Sequence, residues 1–189
     1  ELGKRFPEIC FVRCFMDPIM RKSGLTPDQK LRLSMYDPLK KGTVTEEGQR
    51  RISILGSDFA LDETSDLKRL LRCNDYQIKE SPVCESWEDY LSLSDCRMVL
   101  NCYPSGKAGT EWVAERLGRP FMYLPSCFDY DEIIGQLEVL SASLELLGVL
   151  DYEGEKESCE AALHEAFLEI GDWPIAIDGT FYPRPMGLA

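Results

Sequence analysis

Four short apolar runs recur between segments with helical spacing, and this alternation constrains the fold more than any other feature of the chain. The runs are Arg51-Ile52-Ser53-Ile54-Leu55-Gly56, Tyr76-Gln77-Ile78-Lys79, Arg97 through Asn101, and Phe121-Met122-Tyr123-Leu124. Between them, Leu67, Leu70 and Leu71 mark a helix over about 63–73. Trp87 to Leu93 reads as a short one, and Lys107 to Leu117 as another that stops at Gly118. After the fourth run, Asp129 and Glu132 form a capping-box-like start to a long helix with Ile133, Leu137, Leu140 and Leu144 on one face. Strands that alternate with helices need crossover connections, and these put neighbouring strands parallel with helices over them. The expectation is an α/β fold, a Rossmann-like three-layer α/β/α domain with a parallel sheet over residues 50–150.

The flanks read differently. Residues 1–49 hold a β-rich run at 8–15 and then an irregular connector, broken by Asp17-Pro18, Ser23-Gly24, Thr26-Pro27, Asp37-Pro38 and Lys41-Gly42. Within it, Pro27 to about Tyr36 suits a short helix capped by Thr26. Residues 151–189 read as an acidic helix over about 155–170 and then Pro174-Ile175-Ala176-Ile177, the first strand of a following domain. The chain starts at Glu1 and ends at Gly187-Leu188-Ala189, so the reading is a fragment of a multi-domain subunit.

Charge narrows the partners. The formal net charge is −12, which disfavours nucleic acid and anionic membrane surfaces. Residues 129–172 hold 13 of the 33 acidic residues and one cation, Lys156, whereas 21–51 hold 8 of the 21 Lys and Arg. The acidic stretch is read as a solvated helical face or as a docking patch for a basic partner. No run has the length of apolar residues that a membrane span needs, about 18. The eight cysteines, at 10, 14, 73, 84, 96, 102, 127 and 159, sit largely in apolar segments of a chain too large for a disulfide scaffold. Reduced thiols and a cytoplasmic setting are expected.

Chemistry-bearing residues gather after strands. In open parallel sheets, ligands sit at the carboxyl ends of the strands. Cys102 follows the third run, in Asn101-Cys102-Tyr103-Pro104-Ser105-Gly106, just before a helical pattern. A helix dipole there would favour the ionised, metal-binding thiolate; the other reading is a thiol that only packs. Asp58 follows the first run and Cys127 the fourth, so both are candidates for the same edge, with turn or helix-start roles as alternatives. His164 flanks an apolar stripe on the acidic helix and suits no Ser–His or Cys–His pair. Trp112 reads as packing. Gly56-Ser57-Asp58-Phe59 lacks the spaced glycines of a dinucleotide site, and Gly106-Lys107 lacks the other residues of a P-loop.

The ordered set Ile52-Ser53-Ile54-Leu55-Gly56, Ser65-Asp66-Leu67-Lys68-Arg69-Leu70-Leu71, Met98 through Ser105 and Glu115-Arg116-Leu117-Gly118-Arg119-Pro120-Phe121 resembles the middle region of nitrogenase component 1 proteins. Pro174 to Gly179 resembles the first strand of that family's next domain. The resemblance covers residues 50–189. It implies an oxidoreductase subunit of three similar α/β domains around a complex iron–sulfur cofactor used in multi-electron reduction. It also implies a homologous partner subunit and a nitrogenase-reductase-like electron donor.

In the family's catalytic subunit, a Cys followed by Tyr, any residue and Ser ligates a terminal iron of the cofactor, and Cys102, Tyr103 and Ser105 match that run. Pro104 stands where that subunit carries a basic residue. The family's other ligands, a later histidine and N-terminal cysteines, find no counterpart here. Cofactor-assembly scaffolds and tetrapyrrole reductases share the family. The competing class is a cluster-free structural or protein-binding module that keeps only the fold.

Overall fold

In the computed structural model, residues 2–9, 11–12, 24–148, 150–171, 173–174 and 176 are described. The helices and strands are, in chain order, α1 Leu2–Arg5, α2 Pro27–Tyr36, β1 Arg51–Ile54, α3 Asp66–Arg72, β2 Gln77–Glu80, α4 Trp87–Leu91, β3 Met98–Asn101, α5 Lys107–Leu117, β4 Phe121–Tyr123, α6 Tyr130–Leu144 and α7 Tyr152–Ile170. The four strands form one parallel sheet in the order β2-β1-β3-β4, flanked by helices in a Rossmann-like α/β arrangement.

The two central strands explain the sequence pattern. All four residues of β1 and all four of β3 are buried, whereas edge strands β2 and β4 are mostly half-exposed. Parallel strands covered on both faces read as continuous apolar runs, as these two do. Two of the polar exceptions, both in β1, are satisfied. Ser53 donates its hydroxyl to Leu93 O at 2.9 Å, and Arg51 pairs with Glu47 and Asp95.

The chain divides into two compact units, Glu1–Leu61 with Tyr76–Pro125, and Asp62–Asp75 with Ser126–Ala189. The first holds the sheet, and it also takes in α2 and the residues that follow it. The connector is therefore a working part of the core. Tyr36 and Leu39 cluster with Leu55, Val99, Val113 and Leu117. Thr26 caps α2 as its sequence suggests, in a reciprocal capping box with Gln29. In the second unit, the Asp129 carboxylate accepts from the Glu132 N–H at the start of α6, and Arg69 of α3 pairs with Glu155 of α7.

Two expected strands are not borne out where the backbone is described. Glu8 and Ile9 lie in a turn and bend, and Phe11 and Val12 carry no strand, so the run at 8–15 gains no sheet partner there; its other residues lie outside the described set. Pro174 and Ala176 are likewise irregular, and Ile175 and Ile177 lie outside it.

Arg116 ties the connector to the sheet's unit. From α5 its guanidinium donates to the carbonyls of Tyr36 at 2.5 Å, Leu39 at 2.7 Å and Asp37 at 3.2 Å, and it pairs with the Asp37 carboxylate. Trp112 lies 4.4 Å beneath it and stays 37% exposed, so its packing is against a cation rather than inside the core. Arg116→Ala should lower unfolding free energy by about 2–3 kcal/mol, because charge-assisted bonds to the end of α2 are lost. Arg116→Lys should recover only part of it, since an ammonium cannot span three carbonyls in one plane. Urea midpoints with unchanged slopes check both.

Candidate functional site

Strand order decides where a ligand crevice can form. The chain leaves β1 to one side for β2 and returns to the other side for β3, so the carboxyl ends of β1 and β3 are the topological switch point. Here the two backbones touch. A Cβ on Gly106 would lie 2.1 Å from Gly56 O, and one on Gly56, whose φ is +89°, would lie 2.1 Å from Asn101 Nδ2. Asn101 bridges the strand ends by donating Nδ2 to Leu55 O at 2.8 Å. Thr110 donates its hydroxyl to Gly106 O at 2.9 Å. Asn101 is fully buried, and its Oδ1 has no hydrogen-bond partner among the described residues.

Helix α2 closes over this contact. Arg32, 5% exposed, donates to both oxygens of Asp58 at 3.2 and 2.8 Å and to Asp28 at 3.2 Å, and its guanidinium lies 5.9 Å from the Tyr103 ring. Burial opposes the charge, but the hydrogen bonds to Asp58 and Asp28 outweigh it and hold the guanidinium above its ordinary pKa. One turn on, Tyr36 is 2% exposed. Burial raises its phenol pKa, against the Gly56 backbone, Arg32, Ser81 and Thr110.

Of the five residues singled out in the sequence, the edge of β1 and β3 gathers four. Asp58 follows β1 and is spoken for by Arg32. Cys102, Tyr103 and Ser105 follow β3, with Tyr103 and Ser105 half-buried. Cys127 belongs to the second unit, before α6, where its Sγ lies 3.7 Å from Gln136 Nε2 and 3.8 Å from Asp129 O. His164 is exposed on α7.

The ionisation of Cys102 runs opposite to the expectation from a helix dipole. Cys102 is 7% exposed; burial first, and then the negative charge of Glu80, push its thiol up to about 12. The reason is local geometry. A tight turn, Pro104–Gly106, separates Cys102 from the first residue of α5, Lys107, so the thiol does not stand in the helix's first turn. Among the described residues, no three His, Cys, Asp or Glu side chains form a group that could hold a metal ion.

Arg32, Tyr36 and Glu80 were missed in the sequence. The Asp28/Arg32 spacing of i, i+4 on a capped helix was the visible signal for the first, but it points to a surface pair as readily as to a buried one. A groove of about 600 Å3 lies elsewhere in the unit, bordered by Trp87, Trp112, Leu33 and Pro38.

No protein-family model matches the chain, and no curated protein does.

Two outcomes test this geometry. Gly106→Ala should cost about 3 kcal/mol or prevent folding, because the added methyl meets backbone that cannot yield; thermal melts beside Gly135→Ala, where nothing lies within 4 Å, supply the comparison. The Cys102 thiol has a folded pKa above its ordinary 9.0, so its contribution to stability is intact below that pH and is lost as pH rises through about 12. At pH 8, iodoacetamide should label exposed Cys73 and Cys159 in the native protein, and Cys102 only after denaturation, read by peptide mass spectrometry.

Proposed function

We propose that this chain is the α/β domain of a nitrogenase component 1-like subunit, an oxidoreductase or a cofactor-assembly scaffold, and that Cys102 is its single thiol anchor for a preassembled iron–sulfur cofactor. The observation that carries the reading is the place of Cys102. It stands at the switch point of a parallel sheet, within the Cys-Tyr-x-Ser run, on the edge where α/β folds bind ligands. The described residues do not fit a cluster held by this chain alone. They fit at most a one-thiolate anchor whose remaining ligands come from elsewhere in the assembly. Such a group, when bound, would supply electron transfer, and a coordinating thiol is deprotonated outright whatever its pKa without metal. This chain's part is to orient Cys102 through the Asn101 and Gly106 contacts and to keep water from it. A homologous subunit and a nitrogenase-reductase-like donor are the partners this reading requires, in a cytoplasmic setting.

A second reading is favoured by the burial of Cys102 and by the filling of the edge by Arg32 and Tyr36: a cluster-free structural or protein-binding module. The two separate in the full-length protein purified without oxygen. On the first reading it carries iron and labile sulfide, and Cys102→Ala loses the cofactor's visible and paramagnetic signals while folding at a cost of about 1–2 kcal/mol. Cluster content and spectrum unchanged in that variant would end the ligand assignment. Iron-free protein from cells able to build such cofactors would favour the second reading.

A further inference from the structure

Among the described residues, the last helix stands out for its exposure. The first turn of α7 is held in its unit by Glu155 on Arg69 and by Lys156, whose Nζ lies 5.6 Å from the Tyr130 ring. From Glu157 to Ile170 every residue is exposed. Over that length the helix still carries an apolar stripe. Cys159, Leu163, Ala166, Phe167 and Ile170 recur at i, i+4, i+7, i+8 and i+11, which is one helical face. Leu163, Phe167 and Ile170 are 60%, 66% and 41% exposed, and with Glu160 and His164 they border a groove of about 510 Å3. Unsupported helix of three to four turns is marginal in water, so a stripe of this size signals a partner that packs on it.

Charge says what the partner is. Residues 157–170 hold four glutamates and no Lys or Arg. By helical spacing, Glu160 borders the stripe on one side and Glu169 on the other. Pairing with a second copy would bring two such acidic rims together, in a protein already at net charge −12. An anionic lipid surface would be repelled in the same way. We propose that the Cys159–Ile170 face of α7 is a docking site for a basic amphipathic helix of another protein, which lays its apolar stripe on Leu163, Phe167 and Ile170 and its Lys or Arg residues against the glutamate rims. The site is independent of the Cys102 edge and of any cofactor.

The test uses a three-heptad amphipathic peptide with Lys and Arg flanking an apolar stripe, and a control with Glu at those flanks. The basic peptide should bind in fluorescence anisotropy, more weakly as salt rises, and should shield Cys159 from alkylation. Phe167→Ser, and separately Glu160→Lys with Glu169→Lys, should each weaken it about tenfold or more. Both variants should keep their circular dichroism, since α7 buries no residue. The proposal is overturned if the acidic control binds equally or if Phe167→Ser changes nothing. It is also overturned if residues 157–170 are already protected from hydrogen exchange in the free chain, or if the chain sediments as a dimer that Phe167→Ser dissolves.

Discussion

The contact between Gly56 and Gly106 is the constraint on which the first unit depends. Two loops that leave adjacent parallel strands meet backbone to backbone, with no room for a side chain on either. That closeness lets Asn101 reach Leu55 O and sets where α5 begins. It also brings Asp58 and Tyr103 to the same guanidinium, that of Arg32. A single methyl group at the contact would push apart the ends of both central strands and disturb the seat of α2 with them.

This edge combines two opposing properties. It is where an open α/β sheet offers a site, and it is also well filled. Arg32 buries its own charge, and two carboxylates that remain open to solvent meet it there. Cys102 stays protonated because burial first, and then the negative charge of Glu80, disfavours its thiolate. The chemistry open to the thiol is therefore set by what replaces its proton, not by a lowered pKa.

The sequence made the sheet legible because β1 and β3 are covered on both faces, so Ile52 to Leu55 and Met98 to Leu100 need no alternation to be read. It made α2 legible through local signals, Thr26, Pro27 and Gln29, that act within one turn. The importance of α2 was not legible. Arg32 meets Asp58 across 26 positions, and Arg116 meets Tyr36 across 80. Nothing in the spacing of either residue separates a buried anchor from a solvated one. The site was half legible. The position of Cys102 after a strand could be read from the pattern of apolar residues and turns. Its ionisation could not, because that depends first on how deeply the fold buries it and then on Glu80, which ends a different strand.

Neither compact unit is a continuous stretch of chain. Asp62–Asp75 sits in sequence between two parts of the first unit, yet the rest of its own unit begins only at Ser126. During synthesis, α3 leaves the ribosome well before α6 and α7 exist, and the sheet cannot gain its fourth strand until Tyr123 has emerged. Leu70 and Leu71, both fully buried in the finished structure, belong to a unit whose larger part is made only after them. A nascent chain of this kind carries unburied leucine for many residues of elongation, and that interval is when chaperones would be needed most.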